Sequence, residues 1–123
     1  MQIEENLPHN TFSITACNAN GIEINGSYHT APICLTEEGV FPVTEPSAQA
    51  LDAESFSSRF GAAPLPEVIL VGTGATHHFL HPKIAAGLAA QGIGLETMTT
   101  AAACRTFMVL QSEGRRVWAW LWP

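Results

Sequence analysis

The predicted strand from Glu67 to Val71 is apolar from Val68 onward and stops at two closely spaced glycines, Gly72 and Gly74. It constrains the fold more than any other part of the chain. A continuous run of this length is typical of a strand buried on both faces of a parallel sheet. Parallel strands need long crossover connections between them, and these are usually helices. The run therefore predicts a sheet with helices packed against it.

The chain after this run alternates between helical and extended patterns. A proline suited to a first helical turn and glycines suited to helix ends mark the boundaries. The predicted elements are a helix from Pro82 that ends at Gly92, a strand from Leu95 to Met98, a helix capped by Thr99 or Thr100 that ends at Gly114, and a strand from Arg115 to Leu121. This order is a β-α-β-α-β unit with right-handed crossovers.

The first half of the chain has the character of antiparallel β structure. Alternating residues of Thr11–Ala16 and Ile22–Ile24 flank Asn20-Gly21, a pair that favours a hairpin because both residues accept positive φ. Asn25-Gly26 predicts a second turn. Two further short strands are expected at Ala31–Leu35 and Val40–Val43.

A short helix is expected between the two halves. Asp52 is a suitable N-cap, Phe56 and Phe60 share one helical face, and Gly61 is suited to end the helix. With 123 residues, the chain has the length of one domain. We predict an α/β fold for residues 1–123: a three-layer single domain whose mixed central sheet comes from the C-terminal unit and is covered by helices and by the N-terminal antiparallel β elements.

Composition excludes several classes of protein. The net charge of −6, with five lysines and arginines in the whole chain, disfavours nucleic acid as a partner. No apolar run approaches the roughly 18 residues that a membrane span needs. The acidic start, with Glu4 and Glu5, shows no leader pattern, and the three cysteines are widely spaced. We therefore expect a soluble, cytoplasmic protein with reduced thiols.

The glycine turn is the first candidate site. A turn after a buried strand lies where an α/β sheet opens a crevice, and Glu96 lies where a dinucleotide-binding fold keeps its ribose-binding acid. However, His77 occupies the position of the third glycine of that motif. We favour a tight strand exit over a dinucleotide site.

Other chemistry finds little support. His77, His78 and His81 lie close together, but the motif H-E-x-x-H is absent, and Pro82 argues against a helix that would hold His77 and His81 on one face. We therefore expect no metal site. Asp52 is the only aspartate and is used as a cap, and no serine lies in a nucleophile motif. Cys104 is expected to pack in the core. We find no catalytic residues and expect no cofactor.

Arg105 lies one turn into the last helix, on the side away from Phe107. An arginine there could hold a carboxylate bidentately, or it could form an ordinary ion pair, with Glu96 as the internal partner. The candidate ligand or partner site consists of Gly72, Thr73, Gly74, Glu96, Thr99 and Arg105.

Three tryptophans alternate along the last strand and therefore share one face of it. Trp118 and Trp120 are expected to lie in the core beneath the helices. Trp122, next to the end of the sequence, is predicted to form an exposed contact surface.

The segments Val71–Gly74, Gly92–Met98, Ala102–Phe107 and Glu113–Val117 together resemble a family of small domains. This family includes mitochondrial NADH:ubiquinone oxidoreductase complex assembly factor 3 and the adipogenesis-associated domain proteins. The resemblance implies a three-layer α/β fold with a mixed sheet, and a role in contacting other proteins during complex assembly. This chain departs from the family pattern at Phe107-Met108, where the family has tyrosine and asparagine. The difference removes two polar groups beside Arg105.

These observations lead to two hypotheses of different classes. The first is a non-enzymatic protein-interaction domain of unknown function, an accessory or assembly factor for a larger respiratory-type complex beside a membrane. The second is a protein or enzyme that binds a small anionic ligand at Gly72–Gly74 near Arg105. A homo-oligomeric structural module stays open as a third alternative.

Overall fold

A central sheet of five strands organises the computed structural model, which describes residues 12–61 and 64–123. Its parallel part consists of β6 (Val68–Gly72), flanked by β7 (Gly94–Met98) and β8 (Val117–Leu121). Every residue of β6 is buried, which confirms the prediction made from its continuous apolar run.

Two helices make the crossovers between the parallel strands. Helix α2 (Pro82–Ala89) begins with proline at its first position, and the ring of His81 accepts a hydrogen bond from the amide of Lys83. Helix α3 (Thr100–Ser112) is capped by Thr99, whose hydroxyl accepts from the amide of Ala102. Both helices lie where the sequence predicts them.

An antiparallel hairpin from the first half of the chain completes the central sheet. The sheet is mixed, as predicted, but this hairpin extends the sheet, whereas the N-terminal β elements were expected to cover it. Strand β4 (Ile33–Thr36) pairs with β8 on one side and with β5 (Gly39–Pro42) on the other. The strand order is β5-β4-β8-β6-β7. The two edges are therefore β5 and β7, and β8 lies in the centre.

A separate antiparallel sheet of three strands packs against α3. It consists of β1 (Ile14–Asn18), β2 (Gly21–Ile24) and β3 (Ser27–His29). Residues of β2 share one hydrophobic cluster with α3 and with one face of the central sheet. The predicted start of the first strand, Thr11, lies outside the described residues.

The turns of this small sheet differ in part from the prediction. Asn25 and Gly26 have positive φ values of 49° and 85°, as a hairpin turn of this type requires. Gly21 already belongs to β2 and has no positive φ. Its lack of a side chain has another cause, because a Cβ there would lie 2.6 Å from the carbonyl oxygen of His29.

The opposite face of the central sheet is covered by α1 (Ala53–Ser57), α2 and a 3-10 turn at Ala48–Ala50. Asp52 caps α1 in a reciprocal arrangement with Ser55, as its sequence position predicts. The helix ends at Ser57, earlier than the predicted Gly61, yet Phe56 is fully buried against Trp120.

Candidate functional site

The glycine turn leaves β6 with its backbone groups bonded inside the protein. The amide of Thr73 donates to the carbonyl of Met98 at 2.9 Å. The amide of Gly74, which has a φ of 93°, donates to the Thr100 hydroxyl at 2.8 Å. A phosphate-binding turn points such amides at the ligand, whereas these two amides join β6 to β7 and α3.

Gly72 is required by close packing rather than by ligand access. A Cβ at this position would lie 2.8 Å from the Cα of Thr100 and 3.0 Å from Cδ2 of Leu121. The first turn of α3 can therefore lie directly on the end of β6 only because residue 72 has no side chain.

Thr100 connects three segments at this end of the sheet, a role that the sequence analysis missed. Its buried hydroxyl donates to the carbonyl of Trp122 at 2.5 Å while it accepts from Gly74. Its own amide donates to the carbonyl of Gly74 at 2.9 Å. The signal available in the sequence was a second threonine directly after the cap, where a hydroxyl faces the neighbouring strand ends.

The predicted site residues do not converge on one cavity. Gly74 and Thr99 line a cavity of about 290 Å³ between the end of β6, the start of α3 and the β1–β2 turn. Arg105 lines a second cavity of about 420 Å³ between α3 and β1. Glu96 lines a third, of about 210 Å³, beside α2. The structure therefore brings Gly74 and Thr99 together and separates both from Arg105 and Glu96.

The predicted pairing of Arg105 with Glu96 is not formed. Arg105 faces the β1 side of α3, whereas the neighbouring Thr106 faces β7 and contacts Met98. In residues 12–61 and 64–123, the only ion pair joins Arg115 Nε to Glu67 Oε1 at 3.4 Å. Arg105 is therefore an exposed cation at the rim of its cavity.

The β6–α2 loop (Thr73–His81) presents a large aromatic side chain to solvent. Phe79 is 81% exposed, and its ring centroid lies 4.4 Å from that of His77. His77 is itself held by a hydrogen bond between Nε2 and the Thr97 hydroxyl at 2.8 Å. The sequence analysis considered this loop for its glycine turn and its three histidines, and it missed Phe79.

Trp122 is not exposed, so the prediction of an exposed indole there is wrong. Only 6% of the residue is accessible, and its Nε1 donates to the carbonyl of Glu45 at 3.0 Å. The amide of Trp122 also donates to Gly72, so the chain continues beside β6 beyond the end of β8. Trp118 and Trp120 lie in the core beneath the helices, as predicted.

Residues 12–61 and 64–123 contain no group of three or more histidine, cysteine, aspartate or glutamate side chains arranged to hold a metal ion. Nor do they include a helix with the length and apolar character that crossing a membrane requires.

A family model described as a protein of unknown function, DUF498/DUF598, matches residues 14–122. NADH dehydrogenase [ubiquinone] 1 alpha subcomplex assembly factor 3 from Rattus norvegicus is 34% identical over 110 residues, or 89% of this chain. The match covers 60% of that relative, so this chain spans little more than half of its length.

Solved structures agree with this match. A crystal structure of a protein from Bordetella parapertussis has 37% identity and a TM-score of 0.82, and the match covers 91% of this chain and 95% of the other. A solution structure from Bordetella pertussis, described as an Mth938-like domain, has 29% identity and a TM-score of 0.79, and the match covers 100% of this chain and 92% of the other.

Proposed function

This chain belongs to the DUF498/DUF598 family of proteins of unknown function, and from that premise we propose that it is a non-enzymatic protein-interaction domain that serves in the assembly of a larger, respiratory-type complex. The observation that carries the proposal is the 34% identity, over 89% of the chain, to a relative named as an assembly factor. That relative is much longer than this chain, so a shared set of partners is part of the proposal.

We propose the β6–α2 loop as the contact surface. An exposed aromatic side chain is a frequent centre of binding energy in interfaces, and it costs least to bind when it is already held in place. Two contacts hold this loop: the hydroxyl of Thr73 donates to the carbonyl of Thr76 at 2.7 Å, and it accepts from the amide of His78 at 3.1 Å. Phe79 is thus presented on a loop with internal bonds.

Affinity capture from a native lysate that includes the membrane fraction tests this proposal. Wild-type protein is expected to retain a subunit or assembly intermediate of a respiratory-type complex. Phe79→Ser is expected to reduce that retention about tenfold or more. Tyr28→Ser is the matched control, because Tyr28 is an exposed aromatic residue, 49% accessible, in β3 of the separate three-stranded sheet. Repeated capture without such a component, or equal loss with both variants, would contradict the proposal.

The second hypothesis, a small anionic ligand, is tested on the same protein. A thermal-melt panel with nucleotides, phosphorylated metabolites and carboxylates is expected to be flat. A ligand at 100 times its Kd would raise the midpoint by roughly 8 to 16 °C for a domain of this size. A shift of that kind that disappears in Arg105→Ala would favour the ligand site over the interaction domain.

A further inference from the structure

The fold brings two cysteines into contact that are 87 residues apart in the chain. Cys17 lies near the end of β1, and Cys104 lies in the second turn of α3. The Sγ of Cys104 donates to the Sγ of Cys17 at 3.0 Å, and the Cys17 thiol donates in turn to the carbonyl of Thr100 at 3.8 Å. Both side chains are therefore oriented toward each other in the reduced protein.

The two sulfurs differ in their access to solvent. Cys104 is only 4% exposed, whereas Cys17 is half-buried and lines both the cavity of about 290 Å³ and the cavity of about 420 Å³. A small molecule can therefore reach Cys17 from either cavity. Cys104 also lines the cavity of about 420 Å³, but its small exposed fraction makes it the less accessible of the two thiols.

We propose that Cys17 and Cys104 form a redox-active dithiol pair, which a low-molecular-weight disulfide oxidises to an intramolecular disulfide between β1 and α3. The sulfur–sulfur distance has to shorten by about 1 Å to reach the bonded length of about 2.05 Å. Both sulfurs already point at each other, so this needs only small side-chain rotations.

The exchange proceeds in two balanced steps. The Cys17 thiolate, after loss of its proton to solvent, attacks one sulfur of the small disulfide and releases one small thiolate, which takes up a proton. The Cys104 thiolate then attacks the Cys17 sulfur of the mixed disulfide and releases the second small thiolate, which is protonated likewise. The protein loses two hydrogens, and one small disulfide becomes two small thiols.

The second of these two steps is the slow one, because it needs the Cys104 thiol to lose its proton. Burial, followed by the hydrogen bond to Cys17, raises the pKa of the Cys104 thiol, and the Arg105 guanidinium opposes this shift. Attack by Cys104 therefore needs the neighbouring positive charge or a transient opening between β1 and α3.

Cys34 provides an internal control for the whole proposal. It is fully buried in the cluster on the opposite face of the central sheet, and burial raises the pKa of its thiol to about 12. It has the same chemistry as the pair but no cysteine beside it in the described residues and no access to solvent.

The experiment incubates the folded, reduced chain with oxidised glutathione and follows it by intact mass and peptide mapping. Wild-type protein is expected to lose two mass units, to yield one Cys17–Cys104 cross-linked peptide, and to gain roughly 8 to 15 °C in its thermal midpoint. Dithiothreitol is expected to reverse all three changes. Cys34→Ser is expected to behave as wild type, and Cys17→Ser is expected to lose the cross-link.

Two variants show whether a lost cross-link reflects misfolding rather than the missing thiol. Cys17→Ser changes a half-buried residue and is expected to keep the wild-type circular dichroism spectrum, while Cys104→Ala keeps a small apolar group at the buried position. In Cys104→Ala, the mixed disulfide with glutathione should accumulate on Cys17 as an added mass of one glutathione. Folded wild-type protein that keeps all three thiols in excess oxidised glutathione, or a cross-link that includes Cys34, would overturn the proposal.

Discussion

Gly72 and Gly87 lie in regular elements but have opposite surroundings. A Cβ on Gly72 would collide with the backbone of Thr100, whereas a Cβ on Gly87, an exposed position in α2, would meet nothing within 4 Å. Gly72→Ala is therefore expected to lower the free energy of unfolding by about 1 to 3 kcal/mol through overpacking. Gly87→Ala is expected to raise it by roughly 0.5 to 1 kcal/mol, because alanine loses less backbone entropy in a helix.

Urea unfolding of both variants, followed by tryptophan fluorescence, measures these changes. The comparison separates a steric requirement for glycine from a general preference for flexibility. Equal destabilisation by both substitutions, or none by Gly72→Ala, would mean that α3 can move away from the end of β6.

Thr100 is the buried polar residue that holds this end of the molecule together. Thr100→Val keeps the shape of the side chain but leaves the amide of Gly74 and the carbonyl of Trp122 without this partner. A buried group deprived of its hydrogen bond costs about 1 to 3 kcal/mol, so we expect a loss of that size in the free energy of unfolding. Thr100→Ser keeps the hydroxyl and is expected to retain most of the stability in the same urea titration.

At the scale of elements, the sequence predicts best where local and tertiary signals agree. The apolar run of β6, the capping threonine of α3 and the alternating tryptophans of β8 each appear in the structure as expected. Each pattern follows from burial or from a backbone group near its own position in the chain. The β strands of the first half are also present in the structure. The pairing of β4 with β8 could not be predicted from the sequence, because strand pairing depends on distant segments.

The candidate site was harder to predict than the fold for a physical reason. Gly74, Thr99, Arg105 and Glu96 lie on neighbouring elements, and a linear sequence does not show which side of α3 faces β1 and which faces β7. The same difficulty applies to Cys17 and Cys104, whose contact depends on how the three-stranded sheet packs against α3. The burial of Trp122 was not predicted, because a position near the end of a sequence says little about burial.

The start of β6 and the start of β8 are joined by one side chain, Glu67. Its carboxylate accepts from the Arg116 amide at 3.3 Å and from Arg115 Nε at 3.4 Å. The hydrogen bond donated by the Arg116 amide, together with the contact to Arg115, lowers the pKa of Glu67 from its ordinary value of 4.5. Partial desolvation of the carboxylate opposes this shift. The folded state therefore gains stability from this group above its unfolded pKa and loses it as the pH falls through the folded pKa.

We expect Glu67→Gln to lower the thermal midpoint near neutral pH and to match wild type once the pH falls below the folded pKa of Glu67. The effect should be small, because the carboxylate is 41% exposed and its ion pair is screened by solvent. Glu96→Gln removes a carboxylate that forms no ion pair in residues 12–61 and 64–123, and it is the matched control. A difference from wild type that grows toward low pH would contradict the assignment.

At the scale of the whole molecule, the central sheet couples two hydrophobic layers. Successive residues of β6 point to opposite faces: Val68 and Leu70 join the cluster with α3, and Ile69 and Val71 join the cluster with α1 and α2. β8 alternates in the same way, with its tryptophans all on the α1 and α2 side. Neither layer can be lost without exposing the strands that complete the other.

We therefore expect both layers to unfold in one transition, as a single domain should. Tryptophan fluorescence reports on the layer with α1 and α2. Thiol labelling of Cys104 reports on the layer with α3, in a chain that carries Cys17→Ser and Cys34→Ser. The two probes should give the same urea midpoint within error. Separate midpoints would mean that the three-stranded sheet and α3 form a unit that opens independently, and oxidation of the Cys17–Cys104 pair would then act on that opening directly.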